Sequence, residues 1–341
     1  MRRRTAIGAL AGAAGLAAAA GLAQKRLLGS IAADPEYDRL RRPLGGEESA
    51  VRAADGTELH VEAFGPPGAP KLLLVHGWMC SLEYWRYQIE ELVADFRIIA
   101  YDQRGHGRSA EADDYSFDEF ADDFGAILAA TVPEGERAIA VGHSMGAMTI
   151  AAWAGRHPAQ VKRLRGAMLT NTGLGDLITE SVVVRTPNRL EGFRDPLGRA
   201  LLSATVPMPA SPSPVGDAAV RYVTMNPSAS PAQVAFVRRM VLSCNPKVRG
   251  AAGRAMAEMD LWNALENLDV PTTVVAGEKD RLTPPTLTGR LAETLPNLHT
   301  FETIPGIGHM SALEAPEETN RLIRELDSAT KETETEQSLA A

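Results

Sequence analysis

The chain has 341 residues, of which 45% are hydrophobic and 23% charged, with a formal net charge of -8. This composition is that of a globular protein and excludes a disordered or fibrous chain. The acidic balance provides no basic field for a phosphate backbone, so we expect no nucleic-acid partner. Cys80 and Cys244 lack the spacing of a metal or redox site, and we favour two free buried thiols over one disulfide.

Residues 1–29 form an Ala- and Gly-rich leader. Three arginines, Arg2 to Arg4, precede an apolar stretch over 6–23 that is long enough to cross a bilayer and ends in small residues suited to a signal peptidase. Because the stretch holds few strongly apolar side chains, we expect weak membrane insertion. We favour export or membrane association through residues 6–23, with an Ala-rich cytoplasmic helix as the alternative. Residues 30–47 are charged and contain proline, which predicts a linker.

A hairpin and a series of buried strands follow the linker. Asp55 and Gly56 separate two segments of alternating polarity, which predicts an antiparallel hairpin. Short apolar runs then alternate with helical stretches, the arrangement typical of an α/β protein with a mostly parallel, doubly wound sheet. These runs cover residues 71–75, 97–101, 138–141, 166–169, 272–276 and 300–304.

Two segments depart from this alternation. Residues 177–265 contain helical stretches and a proline-rich patch but no buried strand, which predicts a helical cap inserted between two strands. The cap divides the core into a first part over 48–176 and a second part over 266–327. The tail over 328–341 is polar, and we expect it to be disordered.

Polar residues follow four of the predicted strands. In an open parallel sheet, ligands bind beyond the carboxyl ends of the strands, so catalytic groups should lie just after strand ends. Ser144 does so, within a G-x-S-x-G pattern over 142–146, and Asp280 and His309 follow two later strands. A His-Gly-Trp segment over 76–78 follows the first parallel strand.

These residues are the parts of an acyl-transfer site. A serine hydroxyl is a weak nucleophile until an imidazole takes its proton and a carboxylate orients that imidazole. Ser144, His309 and Asp280 are therefore predicted as nucleophile, base and acid. The backbone N–H groups of Trp78 and Met145 are predicted to bind the oxyanion, and both residues are candidates for the substrate pocket.

The motifs together resemble the α/β-hydrolase family over about residues 48–323, with the cap in the place of that fold's lid. The order Ser, Asp, His along the chain is also that of the family. The matching segments lie at 76–78, 102–109, 142–146, 277–280 with Pro284 and Pro285, and 308–309 with 314–317. Serine at position 144 argues against the epoxide and carbon-halogen chemistry of the members with an aspartate nucleophile.

The sequence thus predicts a serine hydrolase, most simply a carboxylesterase of class EC 3.1.1, that cleaves a small acyl substrate through an acyl-enzyme. Metals and organic cofactors are not needed. Perhydrolysis, acyl transfer, carbon-carbon bond hydrolysis and ligand binding without turnover remain alternatives. The natural substrate and the oligomeric state stay open.

Several predicted site residues also have a structural interpretation. Ser144 could cap a helix, and Asp280 could do the same, which would leave Asp260 or Asp269 as the acid. His309 could be a structural histidine. We expect His76, His106 and His143 to support loops rather than transfer protons. Trp85 could line an acyl pocket or lie in the core.

Overall fold

The computed structural model of the chain describes residues 19–183, 192, 194–208 and 211–340. Most of the leader, residues 1–18, with its arginines and much of its apolar stretch, lies outside the described residues. Within those ranges no helix is both long and apolar enough to span a bilayer. Residues 19–32 form a helix, α1.

An eight-stranded sheet forms the centre of the described part. Its strands are β1 (Glu47–Arg52), β2 (Glu58–Phe64), β3 (Lys71–Val75), β4 (Arg97–Tyr101), β5 (Ala138–His143), β6 (Leu164–Thr170), β7 (Thr272–Gly277) and β8 (Leu298–Ile304). Their order is β1-β2-β4-β3-β5-β6-β7-β8. The predicted hairpin is β1-β2, β2 pairs antiparallel with β4, and the remaining pairs are parallel. The predicted fold class is confirmed.

The sheet is covered on both faces, which explains the continuous apolar runs of its strands. Leu73 and Val75 of β3 belong to one core cluster, whereas Leu72 and Leu74 belong to the other. This alternation follows from the two-residue period of a strand. The helices of the first face are α3 (Phe117–Thr131) and α4 (Met145–Arg156), and α10 (Pro285–Thr294) packs on β7. Those of the second face are α2 (Arg86–Leu92) and α12 (Pro316–Ala340), preceded by the short α11 (Ser311–Glu314).

Five α-helices lie in the described part of the segment predicted as the cap, between β6 and β7. They are α5 (Leu177–Glu180), α6 (Arg194–Leu202), α7 (Pro214–Thr224), α8 (Pro231–Ser243) and α9 (Pro246–Glu258). Each of the last three begins with proline, and the preceding Ser213, Ser230 or Asn245 accepts a hydrogen bond from a first-turn N–H. Proline at the first position and a polar cap before it are typical helix starts.

The predicted linker over 30–47 is packed against the rest of the protein. Ile31 and Leu40 are buried, and Asp34 accepts a hydrogen bond from the backbone N–H of Ala232 in α8. Arg39 forms an ion pair with Glu90 of α2 at 2.7 Å. The segment therefore joins the core to the cap rather than acting as a free spacer.

The tail also differs from its prediction, because α12 continues through Ser328 to residue 340. Thr330 is buried and accepts a hydrogen bond from Arg165 at 2.6 Å. Leu322 and Ile323 anchor the preceding turns in the core. Once the first turns of a helix are formed and packed, each further residue adds a hydrogen bond without the free-energy cost of nucleating a new helix.

Candidate active site

Ser144 lies at a sharp turn between β5 and α4. Its backbone has φ 51° and ψ -117°, a conformation that L residues rarely adopt. Its N–H donates to the carbonyl of Thr170, at the end of β6, at 2.9 Å. A Cβ at position 142 would lie 2.6 Å from the backbone N of Ala147, and one on Gly146 would lie 2.2 Å from the carbonyl oxygen of Val75. The turn therefore requires glycine at both positions of the G-x-S-x-G pattern.

The structure brings His309 and Asp280 together. His309 Nδ1 lies 2.8 Å from Asp280 Oδ2, and both residues are buried. Burial raises the pKa of Asp280, but the charge and hydrogen bond of His309 and the surrounding donors outweigh it and hold that pKa below its ordinary value. An ionised carboxylate is an acceptor only, so Nδ1 of His309 carries the proton and Nε2 is left to accept one. The alternatives Asp260 and Asp269 are exposed.

Two further residues hold Asp280, and the sequence argument missed both. Asn171 Nδ2 and Thr283 Oγ1 donate to Asp280 Oδ2 at 3.1 and 2.8 Å. The other carboxylate oxygen accepts the backbone N–H groups of Leu282 and Thr283. Asn171 directly follows β6, so the rule about strand ends would have included it if applied to every strand.

Hydrogen bonds fix the main chain around His309. The carbonyl of His309 accepts a hydrogen bond from His143 Nε2 at 2.8 Å. Glu314 accepts from the N–H groups of Gly308 and Met310, at 3.1 and 3.0 Å. Burial lowers the pKa of His143 well below its ordinary value, so its imidazole is neutral and stacks on Tyr84.

Ser144 and His309 line one cavity of about 210 Å³. Trp78 lines it too, and its loop runs beside the serine: a Cβ on Gly77 would lie 3.1 Å from Ser144 Cβ. The N–H of Met145 is the first of α4, where a helix offers it no partner. The side chain of Met145 is buried in the core cluster, so only its N–H is placed for the predicted site. Trp85 is also a core residue.

His76 and His106 hydrogen-bond to the main chain. His76 Nε2 accepts from the N–H of Gln103 at 3.0 Å, so its Nδ1 carries the proton and donates to the carbonyl of Gly77 at 2.7 Å. Burial lowers the pKa of His76 to about 3 and that of His106 to about 4. His106 Nδ1 bonds the carbonyl of Arg104 at 2.9 Å. The Gly77 C=O and the Trp78 N–H belong to the same trans peptide and point in opposite directions. By holding the Gly77 carbonyl, His76 therefore also fixes the direction of the Trp78 N–H.

Both cysteines are buried free thiols, as favoured from the sequence. Burial raises the pKa of Cys80 to about 12 and that of Cys244 to about 11, which leaves both thiols unreactive at neutral pH. Across the described ranges, no cluster of three His, Cys, Asp or Glu side chains is arranged to hold a metal ion.

A serine on a strand-to-helix turn, with a His-Asp pair at the ends of later parallel strands, defines the α/β-hydrolase class of enzymes. A family model described as the alpha/beta hydrolase fold matches residues 70–316. The chain belongs to this family, and the resemblance drawn from its motifs is confirmed.

The relatives of the chain include esterases and non-heme haloperoxidases. A bifunctional esterase/perhydrolase of Acinetobacter calcoaceticus is 25% identical over 270 residues, which cover 76% of this chain and 92% of the relative. A non-heme chloroperoxidase of Kitasatospora aureofaciens is 30% identical over 249 residues, covering 71% and 86%. The structure of a thermophilic esterase from Thermogutta terrifontis is similar with a TM-score of 0.65 and 26% identity, covering 83% of this chain and 99% of that one.

Proposed function

We propose that the protein is a serine hydrolase that cleaves a carboxylic ester through an acyl-enzyme on Ser144. The observation that carries the proposal is the buried His309-Asp280 pair, at 2.8 Å, in which His309 lines the same cavity as Ser144. The strained backbone of Ser144 supports it, since such strain persists where the surrounding structure imposes it and is frequent at active sites.

The proposed reaction has two halves. In the first, Ser144 Oγ attacks the ester carbonyl while its proton passes to Nε2 of His309, and Asp280 stabilises the resulting imidazolium. The N–H groups of Trp78 and Met145 bind the oxyanion, and the alcohol leaves with the proton from His309. In the second, His309 deprotonates a water molecule, which attacks the acyl-enzyme and releases the carboxylic acid and the free serine.

Hydrolysis of short p-nitrophenyl esters tests this proposal. We expect turnover by the intact chain, and a loss of several orders of magnitude in kcat for Ser144→Ala and for His309→Ala, because triad members act as one unit. A fluorophosphonate probe should label the intact chain and not the Ser144→Ala variant. The absence of both turnover and labelling would overturn the proposal and favour a ligand-binding protein without catalysis.

Perhydrolysis is the second candidate, and the Acinetobacter relative named as a bifunctional esterase/perhydrolase supports it. Here hydrogen peroxide replaces water in the second half, so that the acyl-enzyme yields a peracid and the free serine. Peracid formation from an ester with added peroxide, measured beside acid formation, separates the two outcomes. Both products should disappear together in Ser144→Ala, since they share the acyl-enzyme.

A further inference from the structure

The described residues give the cavity at Ser144 an apolar wall and one charged side chain. The wall includes Leu177, Ile178, Leu201, Leu202, Val241 and Met256. Among the described residues that line it, Arg194 is the only Lys, Arg, Asp or Glu. A cavity of about 210 Å³ lies below the range of about 300–1,000 Å³ that is typical for drug-sized ligands. The occupant is therefore a small molecule with apolar surface, and it meets one cation.

One hydrogen-bond donor of Arg194 has no partner among the described residues. Its Nη2 donates to the carbonyl of Ser181 at 2.5 Å, while its Nε is buried and has no partner in the described part of the chain. The adjacent acid, Asp195, pairs instead with Arg199 at 2.9 Å. No carboxylate of the described residues forms an ion pair with Arg194. Arg194 as a whole is half-buried, but a buried donor without a partner, such as its Nε, is costly.

The position of Arg194 relative to the reacting groups follows from the cap's contacts. Ser181, which accepts its hydrogen bond, itself donates to the carbonyl of Arg281 at 3.0 Å. Arg281 directly follows Asp280, and the next residues, Leu282 and Thr283, line the cavity. Arg194 thus lines the cavity on the side formed by the Asp280 loop, where its side chain is half-buried.

We propose that the substrate carries a carboxylate that pairs with Arg194 while its ester carbonyl lies at Ser144. The apolar wall contacts the hydrocarbon part of the substrate between its carboxylate and its ester. The substrate class is therefore a monoester of a short dicarboxylic acid or an ester of similar shape. The planar fork of arginine matches a carboxylate with two parallel hydrogen bonds. This inference rests on the proposed esterase function of the same site.

Matched esters test the inference with the full-length chain. Monomethyl esters of linear dicarboxylic acids are compared with methyl esters of monocarboxylic acids of equal length. We expect the intact chain to prefer the best monoester by at least about tenfold in kcat/KM, since a charged hydrogen bond contributes about 1.5–3 kcal/mol. Arg194→Met should lower that value by about 10- to 100-fold, mainly through KM, and leave the neutral ester within about twofold. Arg194→Lys should retain part of the preference.

Arg199→Met is the matched control, because Arg199 lies on the same helix α6, is exposed and pairs with Asp195. It should leave both substrates unchanged. No preference of the intact chain for the monoester, or an equal loss on both substrates in Arg194→Met, would overturn the inference. Calorimetric titration of Ser144→Ala with the monoester, with and without Arg194→Met, gives a second measurement. If no ester is turned over, the esterase proposal fails. The titration still shows in that case whether binding of the monoester depends on Arg194.

Discussion

The backbone N–H of His309 donates a hydrogen bond to the carbonyl oxygen of Thr224, at 3.0 Å. Thr224 is the last residue of α7, so this bond joins the proposed catalytic base to the cap. Thr224 also lines the cavity. A movement of α7 would therefore displace the main chain of His309 directly.

Glu314 provides a second connection between the His309 segment and the segment that follows α7. Its Oε2 accepts the backbone N–H and the Nδ2 of Asn226, at 2.7 and 2.6 Å, and its carboxylate also binds the N–H groups of Gly308 and Met310. The Glu314 carboxylate thus binds Gly308 and Met310, on either side of His309, and also Asn226, two residues after the end of α7. The position of the segment after α7 and the position of His309 are therefore coupled through the side chain of Glu314.

Glu314→Gln should lower kcat about 10- to 100-fold with little change in KM for a short ester. The amide offers one acceptor oxygen in place of two and turns an NH₂ toward N–H donors, so the loop of His309 shifts, and small displacements of a catalytic group are costly. Steady-state kinetics with a p-nitrophenyl ester measures the effect. Asn226→Ala should show the same pattern more weakly, and the double variant should be less than additive.

Glu317→Gln serves as the control for this coupling, since Glu317 is exposed and lies three residues further along the chain. Its kinetics should match those of the intact chain. If Glu314→Gln instead raises KM at constant kcat, the carboxylate acts on substrate binding and the coupling to His309 is wrong.

Asp280→Asn should lower kcat by about three to four orders of magnitude. Asparagine presents an NH₂ or a neutral oxygen to His309, so the imidazole loses both its orientation and the charge that stabilises its protonated form. Single-turnover kinetics and fluorophosphonate labelling should fall together. A variant with near-native kcat would show that another carboxylate is the acid.

The stability difference between the intact chain and Asp280→Asn should depend on pH. The pKa of Asp280 lies below its ordinary 3.8 in the folded protein, so its ionised form favours folding. This contribution is complete above the unfolded pKa and is lost as the pH falls through the folded one. Urea unfolding at pH 7 and at acidic pH should therefore show a difference in unfolding free energy that shrinks toward low pH. A difference that grows on acidification would contradict the sign.

His76→Gln should lower kcat about tenfold without moving the midpoints of the pH-rate profile. The pKa of His76 is held near 3, so this imidazole stays neutral at the pH of the assay, and its effect is to hold Gly77 and hence the Trp78 N–H. His299→Gln is the control, because His299 is exposed at the start of β8. A shifted acid midpoint in His76→Gln would mean that His76 titrates during catalysis.

The sequence predicted the parts of the fold that depend on short-range pattern. Strands buried on both faces appear as uninterrupted apolar runs, and the positions just after them can be identified directly, which is how Ser144, Asp280 and His309 were predicted. Asn171 was missed because it meets Asp280 across 109 residues of sequence, a long-range property, whereas the contact of Thr283 with Asp280 is local and was overlooked.

Long-range packing also explains the segments that differed. Leu40 is an isolated apolar residue in a charged stretch, yet it is buried, and its carbonyl accepts a hydrogen bond from Arg239 of α8, 199 residues further along the chain. Met145 was a candidate for the substrate pocket, but α4 is buried on nearly all sides and its side chain lies in the core. Composition and local pattern do not contain this information.

Ser144→Gly should stabilise the fold relative to Ser144→Ala, although neither variant can form an acyl-enzyme. With φ 51° and ψ -117°, residue 144 adopts a conformation that costs an L residue about 1–3 kcal/mol and costs glycine little. Glycine also loses more chain entropy on folding, so we expect a net gain of about 1 kcal/mol in unfolding free energy. Urea unfolding of the two variants at pH 7 measures it. Since both lack the hydroxyl, the comparison isolates the backbone, and equal stabilities would show that the turn at Ser144 stores no strain.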